Sequence, residues 1–392
     1  METRPQKRGA FVLLSIAHFF NDAASSFLSP LLPLLVQKLH LSLTLAGSLA
    51  SFYSLNSSFL QPVAGMIADN LQGRYFILGG PLIAIGFMSL LGLVPSYPVA
   101  VLCVLLAGIG SAMFHPQAVS TAGALVKEQR GFGISLFLLG GNLGMALGPV
   151  YIISVVSLVG LQRAWIAALP GIITVALLYL FFPKTAGGGG KGQVMRIKEA
   201  FLPHWKPLLL LSFLVILRSL IQQGMNTFLP LLLTTQGRSL FAGGLALSLF
   251  SLAGAGGGLL GGYGSDRWGR RTIIILSNLC ITPFLFGFFQ SQGLLSMIFL
   301  ALAGMAVKAT NPVVVAFAQE LVPERAGTAS SLVMGFSWGF AGIALTGLGK
   351  LADILGIAHA LQLLMLLPLV AVLAACFLPR TARETEKVLT QR

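Results

Sequence analysis

Long apolar runs fill this sequence from residue 11 to residue 379, broken only by short polar, glycine, proline or charged punctuation. A helix needs about 20 mainly apolar residues to cross the hydrocarbon of a bilayer. Twelve such windows fit, at 11–36, 44–68, 75–94, 98–125, 132–160, 164–182, 207–233, 241–264, 272–290, 294–320, 327–349 and 355–379. The pattern predicts an all-α membrane protein with twelve transmembrane helices. Residues 184–206, with Gly187 to Gly190, Lys191, Arg196, Lys198 and Lys206, form the one long polar interruption. They read as a cytoplasmic linker between a six-helix bundle at 1–183 and a second at 207–392, which ends in a short cytoplasmic tail. The basic start, Arg4, Lys7 and Arg8 before FVLLSIAHFF, imitates a secretory signal, but Asp22 and the apolar run after Pro30 read as a retained first helix.

Composition agrees with this picture. Hydrophobic residues make up 56% of the chain against 9% charged, and a mean hydropathy of +0.87 leaves too little polar chain to coat soluble domains. Nearly all of the 11 acids sit between or beyond the apolar runs. Soluble enzymes built on paired carboxylates are therefore poor candidates, and no Walker loop, HExxH or nucleophile elbow is present. An enzyme is not expected. Cys103, Cys280 and Cys376 lie inside apolar stretches with no close spacing, so neither a disulfide framework nor a metal cluster is expected, and no cofactor is implied.

The net charge of +14 does not point to nucleic acid, because the basic residues punctuate the spans instead of forming one block. With a cytoplasmic N-terminus, 19 of the 25 Lys and Arg fall on the inside and 4 outside. That bias leads to the expectation that both termini of a multi-pass protein lie in the cytoplasm.

The two halves repeat at an offset of 196 or 197 residues. LVKEQRGFGISL (125–136) resembles LVPERAGTASSL (321–332), Pro116 maps to Pro312, Pro33 to Pro230, and Asp69 to Asp266. Because six spans return the chain to its starting side, the duplication is parallel. GYGSDRWGRR (262–271) is similar to the signature loop of the major facilitator superfamily, and GMIADNLQGR (65–74) to a degenerate copy of it. The resemblance implies a conformational gate formed by Asp69, Gly73, Arg74, Asp266, Arg267, Gly269, Arg270 and Arg271. Glycine lets two helix ends approach, and the acid can pair with a basic residue or cap a helix N-terminus.

Narrower matches point to one branch. HFFNDAASSFLSPLLPLL (18–35), FHP (114–116), GGNLGMALGP (140–149) and AQELVPERAG (318–327) resemble stretches of the fosmidomycin resistance protein family, proton-coupled efflux transporters of the superfamily. There are departures. Gln117 follows FHP where that family often has Glu. Ser135, Ile152 and Ile153 depart from the glycine pattern of drug antiporters in the fifth span, and Val104 stands where their fourth span commonly has arginine.

An ionisable side chain at mid-bilayer is costly unless paired or hydrated, so each is a functional candidate. Asp22, deep in the first span, is the obvious carboxylate for proton coupling; a permanent ion pair that packs helices is the alternative. Arg218 and Lys308 are the intramembrane cations, suited to neutralise Asp22 or to hold an anionic substrate group, Arg by its planar fork and Lys as a point charge. His115 joins Asp22 as a proton-coupling candidate because imidazole titrates near neutral pH; a proline kink with a satisfied imidazole is the competing reading. His18 lies four residues before Asp22 on the same helix face and can orient the carboxylate. His18, Asn21, Gln222, Gln223, Asn226 and Asn311 complete the substrate-binding candidates with Arg218 and Lys308.

The sequence thus predicts a monomeric secondary transporter whose partners are a small-molecule substrate, protons and the lipid bilayer. Its two halves are expected to rock about a central site. The family resemblance implies proton-coupled antiport, exporting a small drug-like or phosphonate-type substrate. Proton-coupled uptake of an organic anion is the runner-up, and a membrane-embedded enzyme or sensor using His115 with Asp22 is a third reading.

Overall fold

The computed structural model describes residues 4–70, 75–126, 130–181 and 201–379, and among them every regular element is a helix. The first expected span is two helices, α1 (Arg4–Ser25) and α2 (Leu28–Leu39). Pro30 has no N–H to offer the carbonyl of Ser26, which unlatches the helix at this point. The hydroxyls of Ser25 and Ser26 take up carbonyls in the preceding turn, those of Asn21 at 2.9 Å and Ala23 at 2.6 Å.

The N-terminal repeat continues with α3 (Leu43–Asn70), α4 (Tyr75–Ser89), α5 (Tyr97–Leu125), α6 (Arg130–Val159) and α7 (Leu169–Phe181), the last entered through a 3₁₀ segment, Leu161–Ala168. The C-terminal repeat holds α8 (Trp205–Thr235), α9 (Leu240–Trp268), α10 (Arg270–Gln290), α11 (Gly293–Ala309), α12 (Asn311–Leu321), α13 (Ala326–Ser331), α14 (Ser337–Leu355), α15 (Ile357–Leu363) and α16 (Leu367–Ala375). Helices α11 and α12 share one span broken at Thr310, and α13 joins α14 through a π turn at Leu332–Phe336.

Among the described residues, eleven spans are long and apolar enough to cross a membrane. Helix α3 completes the expected twelve by length but falls short in hydropathy, because Ser48, Ser51, Ser54, Asn56, Ser57 and Ser58 interrupt it. Ser48, Ser51 and Ser54 are buried, so these hydroxyls face protein and not acyl chains. Leu158 and Phe377, by contrast, are 85% and 81% exposed. A surface studded with large apolar side chains is a liability in water and a requirement in lipid.

The chain gathers into two compact units, Met1–Gly192 with Thr227–Ser248, and Gln193–Asn226 with Leu249–Arg392. Residues 184–200 of the expected linker lie outside the described residues. The first unit is cored by Phe11 and Leu14 of α1, Ile77 of α4, Phe114 of α5, Phe137 of α6 and Leu178 of α7. The second is cored by Leu211 and Val215 of α8, Ile274 of α10, Val313 and Phe317 of α12, Val333, and Ala371 of α16.

In a bilayer, helices gain little by hiding apolar surface from lipid, so close van der Waals packing between small residues carries the association. Helix α6 illustrates this. A Cβ at Gly140, Gly144 or Gly148 would strike the carbonyls of Ser15, Phe19 or Ala23 on α1. Glycines of α9 do the same against α11, Gly257 facing the carbonyl of Met305 and Gly261 that of Ala309.

Candidate functional site

Asp22 sits one turn before the break in α1 and is 8% exposed. Its carboxylate has three partners, all within its own unit. Oδ2 lies 3.2 Å from Nε2 of His18, Oδ1 lies 3.4 Å from Nε2 of His115, and Asn21 donates its amide to Oδ1 at 3.0 Å. The sequence reading looked to Arg218 or Lys308 for the neutralising cation. The structure places two imidazoles there first, one on the same helix at i−4 and one on α5.

The ring of His18 is held from three directions. It stacks on Phe137 with centroids 4.2 Å apart, meets the His115 ring edge-on at 5.3 Å, and its Nδ1 lies 2.9 Å from the Phe137 carbonyl. A carbonyl oxygen only accepts, so Nδ1 carries the proton. Nε2 then points at a carboxylate oxygen, and two lone pairs at that distance repel unless a proton or other cation lies between them. The geometry therefore requires one bound cation at the His18–Asp22 contact. Gly141 of α6 abuts both atoms: a Cβ there would press on His18 Nε2 and Asp22 Oδ2. His115 is the open member, with its side chain 25% exposed. Helix α5 runs unbroken through Pro116, so the kink reading of His115-Pro116 does not extend to a helix break.

The second unit presents the opposite charge. Arg218 of α8 is 2% exposed; its Nη1 donates to Gln222 at 3.1 Å and its Nη2 to the Ser219 hydroxyl at 3.1 Å, while Nε has no partner. Lys308, in the last turn of α11, donates to the Ser251 carbonyl at 3.4 Å, its stem against Gly254. Within the described residues of this unit, neither cation has a carboxylate in ion-pair range. Asn226 and Asn311 each bury an amide oxygen without a partner. The amide of Gln223, in contrast, is committed to the Trp338 carbonyl at 3.0 Å and ties α8 to α14. The expected polar face of α8 thus divides, Arg218 and Gln222 together and Gln223 turned to a neighbouring helix.

The loop between α9 and α10 is also built as a unit. Gly269 adopts φ 95°, a conformation that favours glycine, and starts α10. Arg270 pairs with Asp266 at 2.8 Å and with Glu320 of α12 at 2.9 Å, while Arg271 donates to the carbonyls of Cys376 and Leu378. Arg267 reaches the Tyr263 hydroxyl at 3.5 Å. Glu320 was not singled out in the sequence, although AQELVPERAG contains it; its partner is 50 residues away and only the fold joins them. The copies at Asp69, Gly73 and Arg74 lie outside the residues whose side chains are described.

Residues 14–346 match the family model of the Major Facilitator Superfamily, so the chain belongs to that family of transporters. It is 29% identical over 383 residues to the Fosmidomycin resistance protein of Escherichia coli (strain K12), covering 95% of this chain and 93% of that one. It is likewise 29% identical over 376 residues to the uncharacterized MFS-type transporter YfnC of Bacillus subtilis (strain 168), covering 93% and 91%. Among solved structures, a bacterial homologue of the human lysosomal transporter Spinster, in an inward-facing and unoccupied conformation, superposes with a TM-score of 0.80 at 17% identity over 96% of this chain and 97% of that one. The protein is a multi-pass membrane transporter with the major facilitator fold, and its family implies a small-molecule substrate and a lipid bilayer. Family and fold are those of transporters, not enzymes.

Proposed function

We propose that this protein is a proton-coupled antiporter that exports a small drug-like or phosphonate-type substrate by alternating access. It works as a monomer in the inner membrane of a bacterial-type cell, with both termini in the cytoplasm. The observation that carries the coupling is the contact between His18 Nε2 and Asp22 Oδ2, which needs a proton because Nδ1 is already committed to Phe137. His115, the more exposed member, is the route by which that proton exchanges with water. Arg218 and Lys308 are the groups that grip an anionic substrate oxygen, since Arg218 is buried, Lys308 is partly buried and neither has an acid in range among the described residues of its unit. The relative named Fosmidomycin resistance protein supports export. In antiport, a donor on the substrate competes with the proton for Asp22, so the two are carried in opposite halves of the cycle.

The two intramembrane cations also favour a second reading. If proton and anion bind together, their charges cancel and the protein is an uptake symporter for organic anions. Proteoliposomes separate the two, because an antiporter drives substrate toward the acidic compartment and a symporter toward the alkaline one. With radiolabelled fosmidomycin as probe and gradients of both signs, the expected result is accumulation of intact drug only in vesicles with an acidic lumen. Accumulation only in alkaline vesicles supports the symport reading, and no gradient-driven movement of this drug or of a panel of organic anions rejects both.

A further inference from the structure

The cluster in the first unit has the donor set of a metal centre as well as of a proton site. His18, Asp22 and His115 each present one ligand atom, and the three atoms lie within 4.8 Å of one another. A zinc-like ion at about 2.0–2.2 Å from nitrogen and oxygen ligands, in tetrahedral geometry, sets its ligands roughly 3.3 Å apart. Each histidine already has a contact of that size to the carboxylate, 3.2 Å from His18 Nε2 to Oδ2 and 3.4 Å from His115 Nε2 to Oδ1, so an ion held by one of these oxygens requires the other imidazole to shift toward it within a cluster already no wider than 4.8 Å.

The surroundings prepare these atoms for ligation. Donation of His18 Nδ1–H to the Phe137 carbonyl fixes the tautomer that leaves Nε2 as the ligand, and Asn21 holds the carboxylate by its Oδ1. A metal-bound histidine is oriented in this manner by a hydrogen bond from its other ring nitrogen. Gly141 keeps the approach to Nε2 and Oδ2 clear of any Cβ. Two imidazoles and a single carboxylate are a poor set for Mg²⁺ or Ca²⁺, which take oxygen ligands, and the cluster has no thiolate to select Cu⁺.

We propose that His18, Asp22 and His115 form a binding site for one divalent late transition-metal ion of the Zn²⁺ or Co²⁺ class, with a fourth position open to water or to an anionic oxygen. The site joins α1 to α5. It was not expected from the sequence because its histidines lie on different helices with no motif between them. It stands on side-chain geometry and does not depend on the transport reading.

The test is titration of the chelator-treated, full-length protein in detergent with Co²⁺ and then Zn²⁺, read by calorimetry and by visible absorption. The expected result is one Co²⁺ per chain with a four- or five-coordinate spectrum, displaced by Zn²⁺, and a rise in Tm with Zn²⁺ that Mg²⁺ does not produce. His115→Gln and Asp22→Asn should each weaken binding about tenfold or more, in protein whose monodispersity shows that it folds. The combined substitution His40→Gln, His204→Gln and His359→Gln should leave it intact. Absence of one-to-one binding overturns the proposal, as does native affinity in folded His115→Gln or loss of binding in the triple variant. Proteoliposome transport is scored separately, so failure of the metal site leaves the transport reading standing.

Discussion

The two repeats place opposite charges at matched positions. Asp22 on α1 and Arg218 on α8 stand 196 residues apart, at the repeat offset, and both are buried. The acid is surrounded by two imidazoles and an amide from its own unit. The cation receives only neutral partners, Gln222 and Ser219, and keeps Nε unsatisfied. A polar membrane site with its partners in place can hold a small exchangeable ion. A buried cation lacking a counter-charge in its unit is suited to a ligand that brings one. The prolines differ similarly: α5 continues through Pro116, whereas the span holding Pro312 breaks at Thr310, two residues past Lys308.

The contrast can be broken most forcefully at Asp22. Asp22→Asn removes the charge and the acceptor that demands the proton, and it is expected to abolish gradient-driven accumulation while exchange of substrate across the membrane persists. Next in size is Arg218→Gln, which should raise the half-saturation concentration of an anionic substrate roughly tenfold to a hundredfold, the loss of one charge-assisted hydrogen bond being worth about 1.5–3 kcal/mol. Arg218→Lys should recover only part of this, because a point charge does not reproduce the planar fork. Equal exchange rates in native and Arg218→Gln protein would remove the cation from substrate binding.

Packing separates the regions less sharply. Gly144→Val forces a side chain onto the Phe19 carbonyl and should cost about 1–3 kcal/mol, read as a lower Tm in detergent. The smallest effect belongs to Glu320→Gln: its partly exposed pair with Arg270 is worth about 0.2–1 kcal/mol, so stability should hardly change. If this substitution nevertheless alters the ratio of open to closed states, measured by spin-label distances, the pair acts on conformation and not on folding.

Much of the fold was legible because hydropathy and the repeat act locally. Twelve windows and the i, i+4 placement of His18 before Asp22 follow from spacing along the chain. What the sequence hid depends on contacts between helices. Nothing in the spacing of His115 says that its Nε2 meets Asp22, that the Phe137 carbonyl fixes the His18 tautomer, or that Glu320 completes the Arg270 pair. The division of α8 was hidden for the same reason, since Gln223 and Gln222 are adjacent residues with different neighbours. The serines of α3 lowered its hydropathy without changing its length, which is why composition alone recognises one span fewer.

The central claim is that Asp22 carries the coupling proton, and proton movement itself tests it most directly. Proteoliposomes holding a trapped pH-sensitive dye should show a change of luminal pH when substrate is added to native protein. Asp22→Asn vesicles should show none, although labelled substrate still exchanges across them. A luminal pH change of native size in Asp22→Asn vesicles would contradict the account.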